Sequence, residues 1–334
     1  MPPALTGCVL DGRHARAPLP WGSAAYTRAL ADALAPLGVS ALYGPPRAAD
    51  VLWEQLLLPG RLRAQGSALV HGPNLFLPLR RPCKGVVTVH DLAFEAHPED
   101  FRPRTRAKLR LLARRCARSA ERVICVSEFT RRDVCERWGI APERTRVVLS
   151  APVLPLGDAP VPAADGGPYL LAVGALRAKK NLRRLVGAYT RLRAEGLEQR
   201  LLLAGPDCGE GPALQAPGVE LVGAIDDARL DALMRGADAL VHPSLYEGFG
   251  LAPLEAMARG VPVALARATA LPEAGGDAAV YFDPLDEDDI AAAVRRVLSE
   301  CALWSARGRA RAARFSWAAT AQATAAVYQE ALSG

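Results

Sequence analysis

Short apolar runs alternate with longer stretches of helical period along most of this chain. GCVLD (7–11), ALVHG (68–72), GVVTVHD (85–91) and RVICVS (122–127) are runs of four to six residues rich in Val, Ile and Leu, and each ends on a polar residue. Between them, SAAYTRALADALAPLG (23–38) has the spacing of an amphipathic helix closed by glycine, and EFTRRDVCERWG repeats the pattern after residue 127. Continuous apolar strands separated by helices predict parallel sheets covered on both faces. The second half repeats the alternation with YLLAVG, LLLAG, VELVG, ALVHPS, VPVALA and AAVYFDP. Between the halves, residues 151–169 are rich in Pro, Gly and Ala and lack periodicity, as an interdomain linker does.

The reading is therefore two α/β domains, over 1–155 and 156–314, followed by a helical segment at 315–334 with Ser316 as its N-cap. A chain of 334 residues is long enough for two cores. Ligands of such sheets bind at the carboxyl ends of the strands, which is where His71, His90, Asp91 and Ser127 fall. Two such domains facing one another would form a cleft between those ends. No internal sequence repeat accompanies the repeated architecture.

Composition changes this picture little, and charge changes it locally. No apolar run approaches the roughly 18 residues of a membrane span. The N-terminus lacks the basic and apolar regions of a secretory signal. Seven cysteines, an odd number, have no zinc-ligand spacing, which points to reduced thiols and a cytosolic protein. Residues 1–150 hold 23 Lys and Arg against 13 Asp and Glu, whereas the rest of the chain is net acidic. The excess concentrates at 101–123, a segment suited to anionic lipid or an acidic glycan and equally to a solvated arginine-rich helix face. It has no interleaved aromatic residues, so nucleic acid is not expected as a partner.

The candidate chemistry centres on EGFGLAPLE (247–255). Pro253 suits the first turn of a helix, where its missing N–H costs nothing. Gly248 and Gly250 allow close approach of backbone to a ligand. The amides of Gly250, Leu251 and Ala252 would lie at the positive end of that helix, a place for a diphosphate. Glu247 could accept from sugar hydroxyls, and Glu255, one turn in, could reach a ribose. An ordinary helix start would account for the same residues without any ligand.

This stretch, together with YLLAVGALRAKKNLRRLVGAY (169–189), RLLLAGP (200–206) and the remainder of 219–284, resembles the retaining family 4 glycosyltransferases. VVTVHDLAFEAHPEDF (86–101) and VICVSEFTRRDV (123–134) are similar to the family's N-terminal domain, so the resemblance covers most of the chain. It implies the GT-B fold of two facing Rossmann-like domains, with the last helix crossing back to the first. It also implies transfer of a hexose from a nucleotide diphosphate sugar to a hydroxyl of a glycan or lipid-linked acceptor. VHDLAFEAHPEDF is most similar to members that use GDP-mannose, which points to mannosyl transfer in surface-polysaccharide assembly. Such an enzyme needs no metal or other cofactor beyond the donor. It would work in the cytoplasm, at the inner membrane surface if residues 101–123 bind lipid.

By the same resemblance Lys180 contacts the diphosphate, with Gly174, Phe249 and the glycines of 248–250 around it. His90 touches the donor sugar or shapes the acceptor side. Glu247 fixes the sugar without attacking it. Gly22 belongs to a loop near the diphosphate, where Trp21 and Ser23 depart from the family pattern and a plain N-cap at Ser23 is an equal reading. Pro272 and Glu273 fall in a loop near the nucleotide. Many members carry arginine where this chain has Ala175, leaving Arg177 or Lys179 to supply the second cation. That departure keeps a catalytically silent sugar-nucleotide binder open as an alternative, beside a basic scaffold that binds membrane or nucleic acid through 101–123.

Overall fold

The computed structural model describes residues 5–16, 22–44, 50–157 and 167–334. Trp21 lies outside them. The chain divides into two compact units, 1–151 with 316–334, and 152–315. The boundary expected at 155/156 falls at 151/152, because the amides of Val153 and Leu154 donate to Glu255 Oε1 of the second unit. At the other end, the ring of Phe315 packs edge-on against Phe249, 5.9 Å between centroids, which keeps residue 315 with the second unit.

The first unit holds a six-stranded parallel sheet of β1 (Cys8–Asp11), β2 (Ser40–Leu42), β3 (Leu69–Gly72), β4 (Lys84–Val89), β5 (Arg122–Cys125) and β6 (Thr145–Val147), in the order β2-β1-β3-β4-β5-β6. The short outer strands β2 (SAL) and β6 (TRV) are additions to the sequence reading; neither is a continuous apolar run. Side-chain alternation divides the core between the two faces. Val9, Val70, Val87 and Val123 join Trp53, Phe94 and Trp138 in one cluster. Cys8, Leu10, Leu69, Val86 and Ile124 join Tyr26, Leu30 and Tyr328 in another.

Helix Ser23–Leu34 begins after Gly22, which has φ 61° and is itself the N-cap, so Ser23 is the first helical residue and not the cap. Helix Trp317–Ser333 belongs to this unit and is capped by Ser316, whose hydroxyl accepts from the amide of Ala319 at 3.2 Å. Ser127 caps helix Glu128–Trp138 by accepting from the amide of Thr130 at 3.0 Å.

His71 ends inside this unit. Its Nδ1 lies 2.7 Å from Tyr328 Oη and its Nε2 lies 2.7 Å from Thr88 Oγ1, so it joins β3 to the last helix and to β4. Burial, reinforced by the charge of His90, lowers its pKa from 6.5 to about 3. A folded-state pKa below the unfolded one means that the unfolded chain binds the extra proton. The stability that His71 contributes is therefore present above pH 6.5 and lost as pH falls toward 3. In urea unfolding, the stability gap between the native chain and His71→Gln should shrink by about 1–2 kcal/mol from pH 7 to pH 5. An unchanged gap would remove this assignment.

The second unit contains β7 (Tyr169–Val173), β8 (Arg200–Ala204), β9 (Val219–Gly223), β10 (Ala239–His242), β11 (Val263–Ala266) and β12 (Val280–Phe282). All pair in parallel, in the order β12-β11-β10-β7-β8-β9. Chain direction across the sheet reverses between β7 and β10, which are neighbours though far apart in sequence. The loops leaving those two strands diverge to opposite faces, and the crevice between them is the standard ligand position of a doubly wound sheet. Among the described residues, no helix is long and apolar enough to cross a membrane.

Candidate functional site

At the carboxyl ends of β7 and β10, Gly174, Lys180, Leu182, His242 and Ser244 line a pocket. Gly174 follows β7 with φ 137°, and a Cβ there would stand 2.9 Å from Lys180 Cε. A Cβ on Gly205 would stand 2.1 Å from the carbonyl oxygen of Gly174. Gly174 is kept bare so that the lysine stem can fold back over the strand end, and Gly205 so that the Gly174 backbone can pass close beside it.

The turn carrying the lysines is held from below by Asn181. Its backbone is left-handed, φ 55°, a conformation asparagine tolerates better than most residues. Its Nδ2 donates to the carbonyls of Pro243 at 3.1 Å and Pro284 at 2.7 Å, which ties the turn to the loops after β10 and β12. The carbonyl of Lys179 accepts from the amide of Leu245 at 2.8 Å, a second tie to the same loop.

Lys180 Nζ donates to Glu247 Oε1 at 2.5 Å. His242 Nε2 lies 2.9 Å from the same oxygen and 3.2 Å from Ser244 Oγ. Burial by itself would raise the pKa of Glu247; the Lys180 ammonium, the His242 hydrogen bond and the charge of Lys179 outweigh it and hold the carboxyl well below its usual range. Glu247 is thus ionised at any physiological pH and can only accept, so His242 donates through Nε2–H. Burial lowers the pKa of His242, and Lys180 and Lys179 lower it further against the pull of Glu247, so the imidazole is neutral. Glu247 Oε2 has no hydrogen-bond partner among the described residues, and Lys180 retains two N–H groups beyond the one Glu247 uses. The arrangement can present one acceptor and two cationic donors to a single ligand.

Glu247 is held from its backbone side by Thr269, whose Oγ1 accepts from the Glu247 amide at 2.9 Å. Thr269 has φ 50°, a costly conformation for a β-branched residue and a mark of a position fixed by its surroundings. Three residues past Glu247, Gly250 (φ 115°) is the N-cap of helix Leu251–Ala258, with Pro253 in its first turn. A Cβ on Gly250 would press within 3.1 Å of Leu271 and 3.3 Å of Ala274, so the close packing also requires glycine. No described residue accepts from the amides of Gly250, Leu251 or Ala252. Phe249 is buried against Phe315 and is part of the packing.

The structure thus brings together Glu247, Lys180, Gly174 and the 248–252 turn. Lys179 is buried, 5.8 Å from the Tyr246 ring, and its charge acts on both Glu247 and His242. Glu255 is buried too. Burial raises its pKa, the Val153 and Leu154 amides oppose that, and its Oε1 is occupied by them. His90 and Gly22 belong to the first unit. His90 donates from Nε2 to the Pro73 carbonyl at 2.8 Å and stands edge-on to Tyr26 at 4.6 Å, while Asp91 accepts from the Ala93 amide at 2.9 Å as a turn cap. Helix Leu271–Gly275 carries Pro272 and Glu273.

Sequence reasoning did not single out His242, Thr269 or Asn181. The signal for His242 was present, a polar residue closing the apolar run ALVH, the same pattern that drew attention to His71 and His90. Thr269 and Asn181 act through backbone conformation and carry no such signal.

Residues 167–300 match the family model "Glycosyl transferases group 1", and residues 23–150 match "Glycosyltransferase Family 4". The O-antigen chain mannosyltransferase B of Escherichia coli is 33% identical over 290 residues, covering 79% of this chain and 75% of that protein. The chain belongs to glycosyltransferase family 4. The MMP alpha-(1->4)-mannosyltransferase of Mycolicibacterium hassiacum is 30% identical to the transferase over 243 residues, or 66% of the chain and 57% of that protein. Among solved structures, sucrose-phosphate synthase from Thermosynechococcus elongatus superposes with a TM-score of 0.72 at 22% identity, covering 97% of the transferase and 98% of that chain. HepE from Anabaena, solved with UDP and glucose, gives 0.71 at 18%, covering 97% and 99%. These likenesses show the GT-B fold. The protein is a glycosyltransferase.

Proposed function

We propose that this glycosyltransferase moves mannose from GDP-mannose, with retention of configuration, to a hydroxyl of a glycan or lipid-linked acceptor in surface-polysaccharide assembly. The observation that carries the reading is the Lys180–Glu247 pair at the β7/β10 switch point, three residues before a helix N-terminus with unclaimed amides. The diphosphate would lie on the Gly250, Leu251 and Ala252 amides and the two remaining N–H groups of Lys180, with Lys179 adding charge behind. These cations would do the work of a metal, so none is needed. Glu255, with its Oε2 lacking a partner among the described residues, would take a ribose hydroxyl.

Glu247 Oε2 would accept from a hydroxyl of the donor sugar. A carboxylate whose other oxygen is tied to Lys180 and His242 is suited to hold a substrate rather than attack it. The C1–O bond to the diphosphate breaks with its electron pair going to phosphate. The acceptor oxygen bonds C1 on the same face, and its proton passes to the departing phosphate oxygen. Charge grows on that phosphate in the transition state, where preplaced ammonium and amide donors lower the barrier most. The mannosyltransferase relatives support mannose as the sugar. The working location would be the cytoplasmic face of a membrane carrying the acceptor.

Calorimetric titration with GDP, UDP, dTDP and ADP, without metal, tests the reading. GDP should bind selectively, and incubation with GDP-mannose and a mannan-type acceptor should give an α-linked product by NMR. Absence of binding to all four nucleotides would overturn the proposal. Binding without any transfer would favour the silent binder that Ala175 suggests.

A further inference from the structure

The described residues carry twelve exposed large hydrophobic side chains, and six of them lie on three segments of the first unit: Val51, Leu52, Leu56, Leu57, Leu79 and Leu111. Leu56 and Leu111 are the most open, at 67% and 63%. The segments are neighbours. The carbonyl of Leu77 accepts both from Gln55 Nε2 at 2.9 Å and from Cys116 Sγ at 3.2 Å, and the Leu79 amide donates to Gln55 Oε1 at 3.0 Å. Lys108 Nζ stands 5.1 Å above the ring of Phe76, on the same connecting loop. A single face therefore joins the helical run 50–64, the loop 75–81 and the helical run 103–119.

Charge on this face is predominantly basic: the helical run 50–64 opens with Asp50 and Glu54, and the Glu54 side chain is buried. Residues 55–90 and 101–120 contain thirteen Lys and Arg and no Asp or Glu. Arg80, Arg102, Arg104, Arg110 and Arg115 are exposed there. Sequence reading found the arginines of 101–123; the leucines that accompany them come largely from the other two segments, which only the fold places alongside.

We infer that this face docks the enzyme on an anionic lipid bilayer, with the leucines entering the headgroup–acyl boundary and the arginines meeting lipid phosphates. The inference rests on the proposed lipid-linked acceptor for its purpose, and on the face alone for its evidence. Exposed leucines among arginines match an interfacial surface, where apolar insertion and attraction to anionic headgroups act together. Nucleic acid would leave the leucines in water. A second copy of the same face would set arginine against arginine.

The test is co-sedimentation of the full chain with vesicles of phosphatidylcholine alone or containing phosphatidylglycerol, read beside nucleotide calorimetry. The native chain should bind the anionic vesicles at least about 10-fold tighter than the neutral ones, and less tightly as salt rises. Leu56→Ser/Leu57→Ser and Arg104→Ser/Arg110→Ser should each weaken that binding about 5-fold or more while nucleotide binding stays unchanged. Equal or absent binding to both vesicle types with nucleotide binding intact would overturn the docking face and leave the transferase reading standing. A dimer in solution that Leu56→Ser/Leu57→Ser converts to monomer would overturn it in favour of a self-association surface. Vesicle binding with no nucleotide binding would keep the face and sink the donor-site reading instead.

Discussion

Lys180→Ala should lower kcat/KM by about 100- to 1,000-fold, the usual cost of losing one preplaced donor at a developing charge. Among the described residues Lys180 is the one cation in direct contact with Glu247, and it folds over a glycine whose Cβ would collide with it. Loss of the ammonium should also weaken binding of the free nucleoside diphosphate, because the same N–H groups would serve ground state and leaving group. A second consequence follows from electrostatics. Burial pushes the Glu247 pKa up, and Lys180 is the leading influence that brings it down. In the variant the carboxyl pKa should rise, so residual activity should acquire an acid limb displaced toward neutral pH, whereas the native enzyme should show none from this group. A pH–rate comparison of the two proteins, with nucleotide titration, checks all three effects. Nucleotide affinity within threefold of native would place the diphosphate away from Lys180.

Glu247→Gln should cost kcat about 100- to 10,000-fold while GDP affinity changes little, the reverse weighting of the lysine variant. Glutamine keeps the volume and an oxygen for Lys180 and His242, so the pocket should hold its shape. What disappears is the negative charge opposite the developing oxocarbenium ion and the strong acceptor at Oε2. Glutamine is preferred to alanine because removing one member of a buried ion pair outright can cost about 3–5 kcal/mol of stability, and the pair here is only 14–15% exposed. The measurement is single-turnover transfer beside GDP calorimetry, with thermal unfolding to confirm folding. A kcat within about threefold of native would remove Glu247 from the reacting sugar.

The pairing of these residues was partly legible beforehand. A lysine at the start of a helix is awkward against the dipole, and a glycine-rich turn before a proline-bearing helix start offers bare amides, so each pointed to an anionic ligand from its own sequence neighbourhood. Their meeting across 67 residues was not, since no local pattern encodes which strand lies beside β7. His242 entered the site for that reason: it closes the strand β10 that the sheet order sets next to β7. Thr269 and Asn181 were invisible because their roles lie in a left-handed backbone that neighbouring loops enforce. The short strands β2 and β6 escaped notice because SAL and TRV mix polar with apolar residues, whereas β12, equally short, is the apolar run VYF.

Sequence by itself determined the α/β class, the cap at Ser316, and the glycine-then-proline helix start of 247–255. All of these depend on residues close together in the chain, where spacing and backbone preference act directly. Tertiary structure alone decided which carboxylate oxygen Lys180 occupies, that His242 is neutral and donates, that Lys179 is the second charge near Glu247, and that five scattered leucines and Val51 lie on neighbouring segments with the arginines. Those outcomes depend on strand order and on burial, which set distances and local dielectric between groups that the linear sequence keeps far apart.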